Sequence, residues 1–318
     1  MLLSIVIPHY NAIEMLKKLV DSIPVINEIE IIVVDDKSDK KLDELLKMKS
    51  NNNYSHVLFL ENNTGHKGAG ACRNIGISVA KGDWILFADS DDFFVDGFYS
   101  IIRQYFSSDY DVIFFTPTSI EIDTNSLSDR HLNYKSKISD YLLKKDKQSE
   151  LALRYTFHVP WSKLIRVKFL KKHNLFFDEV IAANDVMFSA KVGHYMKKFH
   201  ASNEVIYCVT KNKGSLTVNI SQKVFDSRLF VHIRFYQFLK KNLSSKQFKC
   251  LNIKGGMEYV VSAFRNHYGF KKVISTYLTL RKSKIKVFEI IYINPIYLIR
   301  KMVFHYKFLK KNKRYFVR

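Results

Sequence analysis

Short apolar runs alternate with amphipathic stretches through the first hundred or so residues. Ser4–Ile7, Glu30–Val34, His56–Leu60, Asp83–Ala88 and Asp111–Phe115 are rich in Ile, Val, Leu and Phe. They have the length of strands buried on both faces. Ala12–Ile23 places Met15, Leu16, Leu19, Val20 and Ile23 at helical spacing and stops at Pro24. Asp39–Lys49, Gly68–Ala80 and Asp96–Phe106 read as further helices, and Glu61–His66 as a turn-rich loop. Strands separated by single helices predict parallel βαβ units, hence an α/β chain with a doubly wound, mainly parallel sheet.

From about 117 to 160 the pattern gives way to a polar segment with Ser, Asn, Asp and Lys clusters, read as an insertion over one end of the sheet. Regular structure is expected again over Trp161–His173 and Asp185–Met196. The strand-like Val205–Val209 then leads to the turn Lys211-Asn-Lys-Gly214 and to Ser215-Leu-Thr217. Beyond 224 the chain reads as mainly helical and basic. The expected partition is a sheet domain over 1–224 and a basic helical region over 225–318.

A chain of 318 residues holds one large domain or two ordinary ones. With 47% hydrophobic and 25% charged residues it can build a core without disulfides. Cys72, Cys208 and Cys250 are far apart and odd in number, which excludes a disulfide framework or zinc spacing and suits a reducing cytoplasm. The apolar start Met-Leu-Leu-Ser-Ile-Val-Ile-Pro8 has no basic leader and reads as the first core strand.

Charge changes the picture. Residues 1–224 hold 29 Lys/Arg against 27 Asp/Glu, whereas residues 225–318 hold 22 against 3. That asymmetry predicts an anionic partner for the second part. Val287–Phe304 is interrupted by Glu289, Pro295, Arg300 and Lys301, so it lacks the roughly 20-residue uncharged run of a spanning helix. Arg300–Arg318 mixes aromatic residues with eight Lys/Arg and no acid, a composition suited to lying on an anionic leaflet. A solvated tail whose aromatics close the core is the alternative. Nucleic acid is disfavoured, because no zinc spacing, basic zipper or RNA-binding signature is present.

Asp35 and Asp36 close one strand, and Asp89, Asp91 and Asp92 follow another. In an open α/β sheet ligands bind beyond the carboxyl ends of the strands. Carboxylates this close repel one another unless a cation lies between them or some are protonated. A divalent metal with a phosphate-bearing ligand resolves the repulsion, which points to a nucleotide. Extended-chain alternation puts Asp89 and Asp91 on one side and turns Asp92 away. Oxygen ligands suit magnesium or manganese. Gly65-His-Lys-Gly-Ala-Gly-Ala-Cys-Arg73 is neither a Walker loop nor a dinucleotide fingerprint. Its glycines permit close backbone approach, and Arg73 is placed to donate to a diphosphate.

Four blocks in order carry a family resemblance. They are Ser4-Ile-Val-Ile-Pro-His-Tyr-Asn11, Ile31-Ile-Val-Val-Asp-Asp-Lys-Ser38, Asn62-Asn-Thr-Gly65 running on to Gly68-Ala-Gly-Ala-Cys-Arg-Asn-Ile-Gly76, and Ala80-Lys-Gly-Asp-Trp-Ile-Leu-Phe-Ala-Asp-Ser-Asp-Asp92. The series resembles the family 2 glycosyltransferases, inverting enzymes of GT-A fold that use nucleotide-sugar donors. It resumes at Val159-Pro-Trp-Ser-Lys-Leu164, Phe177-Asp-Glu179, Asn184-Asp-Val-Met-Phe188 and Ser215-Leu-Thr217. The resemblance implies that Asp91 holds a divalent cation, Mn2+ or Mg2+, and that Asp89 contacts the donor or shares the metal. It implies that Asp36 accepts from a uracil imide above a floor formed by Pro8–Tyr10, favouring UDP. Asp185 is then the base that takes the acceptor hydroxyl's proton. Trp161 and Lys163 fall at an acceptor-side position, where core packing by Trp161 is the competing role. The family's usual Glu-Asp is Asn184-Asp185 here, which bears on acceptor contacts. Simple helix capping is the competing role for Asp36, Ser38, Asp92, Asp96 and Asp185.

The resulting expectation is a metal-dependent inverting glycosyltransferase acting on a glycan or lipid-linked acceptor in surface-polysaccharide synthesis. It would be cytoplasmic and peripheral at the inner membrane face. Two rivals stay open: a sugar nucleotidyltransferase, disfavoured by His9-Tyr-Asn11 where its glycine-rich loop would stand, and a binding-only relative, favoured only by Asn184.

Overall fold

The computed structural model describes residues 2–211, 221–253, 255–288 and 303. The chain divides into two compact units, residues 1–212 and 213–318. The turn at 212–214, Ser215–Thr217 and the basic run from Arg300 onward, Val303 excepted, lie outside the described residues.

The first unit is built on one eight-stranded sheet. Its strands are β1 (Leu3–His9), β2 (Ile29–Asp35), β3 (Val57–Glu61), β4 (Trp84–Phe87), β5 (Phe93–Phe94), β6 (Val112–Glu121), β7 (Lys163–Arg166) and β8 (Phe199–Lys211). The helices are α1 (Ile13–Asp21), α2 (Leu42–Ser50), α3 (Ala69–Val79), α4 (Phe98–Arg103), α5 (Leu132–Lys144), α6 (Lys147–Thr156), α7 (Val167–Lys172) and α8 (Asn184–Tyr195). The spatial order is β3-β2-β1-β4-β7-β6-β8-β5.

Alternation along the apolar runs explains why both sheet faces are covered. Leu3, Ile5, Ile7, Ile31, Val33, Trp84 and Leu86 meet residues of α1, α2 and α4 on one face. Val6, Ile32, Val34, Ile85 and Phe87 meet residues of α3, α7 and α8 on the other. Strands buried on both sides lose the period-two polarity of a half-exposed sheet, which is why they read as unbroken apolar runs.

The first half of the sheet has the expected parallel βαβ order, β3-β2-β1-β4. Its second half is more mixed than the sequence predicts. β7 inserts antiparallel between β4 and β6, β6 and β8 run parallel, and β5 pairs antiparallel with the end of β8. Register shifts at Phe115–Pro117 bend the long β6–β8 pair, as bulges do. The polar segment 117–160 completes β6 and forms α5 and α6.

Among the described residues, the second unit contains α9 (Gln222–Asn242), α10 (Ser245–Cys250), α11 (Met257–Arg265) and α12 (Phe270–Lys282). Phe225, Leu229, Tyr236, Ala263, Leu280, Ile285 and Val287 form its own apolar core. No described helix is long and apolar enough to cross a membrane.

Candidate active site

The register pairs His9 with Asp35, so the carboxyl ends of β1 and β2 meet at one edge of the sheet. There His9 Nδ1 lies 2.8 Å from Asp35 Oδ1, and His9 Nε2 accepts the Ala12 N–H at 3.2 Å. That pairing assigns the proton to Nδ1. Ser38 donates its hydroxyl and its N–H to the two oxygens of Asp35. Burial pushes the Asp35 carboxyl up, but the bonds from His9 and Ser38 outweigh it and hold it below its ordinary value. Asp35 is therefore committed to closing the turn.

Asp36 faces the neighbouring loop. It accepts from Asn62 Nδ2 at 2.6 Å and from the Gly68 N–H at 2.8 Å. Neither Asp36 nor Ser38 caps α2, whose N-cap is Lys41. Pro8 is buried within β1, opposite Val34 and beyond the last residue paired with β4, so its missing N–H interrupts no β1–β4 bond. Tyr10 is 47% exposed, with Lys67 Nζ 5.7 Å from its ring centroid.

The loop after β4 carries the acid triplet, and its three carboxylates have different environments. Asp92 is buried and accepts from Tyr207 Oη at 3.0 Å and from the Thr210 N–H at 2.7 Å. Tyr207 Oη also accepts the Asp89 N–H at 2.8 Å, and Thr210 Oγ1 donates to the Asp91 carbonyl at 2.6 Å. The end of β8 thus holds this loop from beneath. Burial, then the charges of Asp91 and Asp89, push the Asp92 carboxyl well above its ordinary value. Asp92 and Asp96 do not cap α4, whose N-cap is Gly97.

Asp89 pairs with Arg73 Nη2. Asp91 is half-buried, and burial followed by the charge of Asp89 raises its carboxyl, against the opposing pull of Arg130, its own N–H and Arg73. Among the described residues no three His, Cys, Asp or Glu side chains converge as a metal-ligand set. A cation here would take one or two carboxylate oxygens from the chain and the remainder from phosphate and water. The raised Asp91 beside Asp89 fits that role, because an added positive charge would relieve both causes of its shift.

Arg73 is the hub. It is 4% exposed, joins Asp89 through Nη2, and donates from Nη1 to Asn184 Oδ1 at 2.9 Å. Its Cζ lies over the Phe177 ring, 5.2 Å from the centroid. In the fold this guanidinium ties the β4 loop to the start of α8. Asn184 keeps an acceptor for Arg73 without a negative charge. The approach of α3 depends on Gly70, where an added Cβ would lie 2.3 Å from the Asp178 carbonyl oxygen and 3.1 Å from Asn184 Cβ. The glycine-rich block thus serves the packing of α3 against the 178–184 loop.

Asp185 lies in the first turn of α8, whose N-cap is Ala183 with no side-chain capping bond. Burial, then Asp89, raise its carboxyl, while Arg73, its own N–H and Lys163 pull it down. Lys163 is 1% exposed and donates to the Phe157 carbonyl at 2.6 Å and to Ser189 Oγ at 3.0 Å. Burial lowers its ammonium to about 7. Trp161 is buried, stacked on Tyr207 at 5.9 Å and edge-on to Tyr134 at 5.2 Å. What these two expected acceptor-side residues touch is the core and the underside of α8.

Sequence reasoning missed Tyr207 and Thr210, which support Asp92 from 115 or more residues away. It also missed Arg130, which donates to the Thr210 carbonyl at 2.5 Å and whose charge acts on Asp91 and Asp92. None belongs to a local motif. Their contacts are long-range, so no sequence signal pointed to them.

The family described as "Glycosyl transferase family 2" matches residues 4–173, more than half of the chain and all of the β1–β4 edge. The chain belongs to glycosyl transferase family 2. Its fold is GT-A. A poly(ribitol-phosphate) beta-glucosyltransferase of Bacillus spizizenii is 41% identical over 112 residues, which are 33% of this chain but only 17% of that protein. The putative glycosyltransferase EpsH of Bacillus subtilis is 23% identical over 77% of this chain and 71% of its own length. Among solved structures, S. aureus TarS 1-349 in complex with UDP-GlcNAc has a TM-score of 0.61 at 19% identity, covering 89% of this chain and 81% of that one. The mannosyltransferase PcManGT of Pyrobaculum calidifontis, in complex with GDP-Man and Mn2+, has a TM-score of 0.54 at 11% identity, with 88% and 75% coverage. At these identities the structural likenesses establish the fold.

Proposed function

We propose that this glycosyltransferase moves a sugar from a UDP-sugar to a hydroxyl of a growing or lipid-linked surface glycan, with inversion. The observation that carries the reading is the arrangement around Arg73, which links the acid loop after β4 to the helix turn bearing Asp185. Donor and acceptor chemistry would then meet at one edge of the sheet. Asp36, Pro8 and Tyr10 form the base subsite, Asp89 and Asp91 face the diphosphate, and Asp185 takes the proton from the attacking hydroxyl. A raised carboxyl suits that last task, because a base works best with its pKa near the working pH. A divalent cation held by Asp91, with Asp89 beside it, would offset charge on the departing nucleotide diphosphate.

UDP is favoured by Asp36 and by the UDP-GlcNAc bound to TarS. A phosphate-bearing polymer is one acceptor class suggested by the similar Bacillus spizizenii protein. The basic second unit, 22 Lys/Arg against 3 Asp/Glu over 225–318, supports a location on the cytoplasmic face of an anionic membrane. The binding-only reading rests on Asn184 alone, whose amide oxygen accepts from Arg73. Incubation with a panel of UDP-sugars, with product release followed for wild type and Asp185→Asn, tests the proposal. Turnover by the wild type alone, with donor binding kept in the variant, is expected. Equal turnover by both would remove Asp185 as the base.

A further inference from the structure

The second unit has a core of its own, yet α12 leaves a row of apolar side chains outside it. Thr276 and Leu280 face inward. Phe270, Ile274 and Leu278 are 75%, 44% and 48% exposed. Their spacing of i, i+4 and i+8 places them along one side of the helix. Lys271, Arg281 and Lys282 on the same helix are exposed, and Lys284 and Lys286 follow it on the surface. α11 exposes Val261 and Phe264 in the same way, and Phe288 is 69% exposed.

Scattered exposed apolar residues are ordinary in globular proteins, but a helical row flanked by cations is not explained by packing. We propose that this α12 face is a docking surface for an anionic lipid bilayer, with Phe270, Ile274 and Leu278 inserted among the headgroups. The inference rests on the membrane location proposed above and adds which face makes the contact and how. Charge selects the occupant. A second copy of this chain would bring Lys271, Arg281 and Lys282 against an equally basic surface, which like-charge repulsion disfavours. A lipid leaflet supplies both an apolar interior for the row and anionic headgroups for its flanks. Lys272 is not counted among the flanking charges, since it is paired with Asp226 at 2.5 Å.

Insertion predicts a signature that charge alone does not give. Screening weakens contacts between exposed charges and leaves apolar burial intact. The 318-residue chain is sedimented with vesicles of phosphatidylcholine and phosphatidylglycerol, at low salt and at about 0.5 M NaCl. Phe270→Ser/Ile274→Ser/Leu278→Ser is compared with Lys271→Gln/Lys282→Gln. Wild type is expected to bind the anionic vesicles and to keep part of that binding in high salt. The serine variant is expected to lose about tenfold or more in affinity and all salt-resistant binding. The glutamine variant loses chiefly the salt-sensitive part. Circular dichroism and UDP binding on the same samples establish that the variants are folded and the donor site intact. Wild type that ignores anionic vesicles would overturn the membrane location itself. Serine and wild-type proteins that bind alike would overturn only the assignment to α12. Neither result would touch the glycosyltransferase reading, which the UDP measurement follows separately.

Discussion

Replacing Lys163 by Met should stabilise the protein at neutral pH and destabilise it near pH 10. The lysine is buried between Phe114 and Phe157, with its Nζ 5.8 and 5.1 Å from their ring centroids. Burial lowers its ammonium from 10.5 to about 7. A base with a folded pKa below its unfolded one binds fewer protons in the fold, so stability rises with pH across the window between the two values. The contribution is fully present above about 10.5 and lost as pH falls through about 7. The corresponding cost at and below neutral pH is on the order of 5 kcal/mol. Methionine removes that cost and fits the stem's apolar surroundings. It also leaves the Phe157 carbonyl and Ser189 Oγ without their donor, a loss of about 1–3 kcal/mol at any pH. The balance favours the variant by roughly 2–4 kcal/mol at pH 7 and disfavours it by roughly 0–2 kcal/mol near pH 10. Urea unfolding of both proteins between pH 6.5 and 10 measures the difference. A stability difference that is flat across this range, or of one sign throughout, would refute the reasoning. Lys163 also pulls the Asp185 carboxyl down, so the acid limb of the variant's pH–rate profile should move to higher pH.

Other consequences follow from the same geometry. Gly70→Ala puts a Cβ 2.3 Å from the Asp178 carbonyl oxygen. Because that oxygen is backbone, a loss of about 1–3 kcal/mol together with weakened donor binding is expected. A change under about 0.5 kcal/mol in denaturant unfolding would argue against the close approach. Tyr207→Phe strips a partner from both the Asp89 N–H and Asp92, at about 1–3 kcal/mol. Metal-dependent UDP affinity should fall with it, and an unchanged affinity would show that the acid loop holds its shape unaided. Arg73→Met leaves Asp89 without its ion-pair partner and Asn184 Oδ1 without its donor. Turnover should drop further than thermal stability does, and an equal loss in both would assign Arg73 to stability alone.

The β1–β4 half of the fold was legible because doubly buried strands leave continuous apolar runs that amphipathic helices separate. The other half was not. β7 is four residues long and opens with Lys163, a cation that marks a surface in sequence but is buried here. α5 buries only Ile138 outright, so its apolar stripe was too thin to stand out in a polar segment. In the site, Asp89–Asp92 form a turn closed by the Asp92 N–H on the Asp89 carbonyl at 3.0 Å, not the extended chain that local spacing assumed, and no local pattern could supply Tyr207 and Thr210, which arrive from another strand. Arg73 stood out in the sequence as a candidate donor to a diphosphate. Its partners did not, since one of them, Asn184, lies 111 residues away.

Asp89 and Asp91 are proposed to form, with a cation, the diphosphate end of a nucleotide-sugar site. Calorimetric titration of wild type and Asp91→Ala with UDP, with and without manganese, tests it most directly. Manganese-dependent UDP binding by the wild type and its loss in the variant are expected. UDP binding that is indifferent to manganese, or equal in the two proteins, would contradict it.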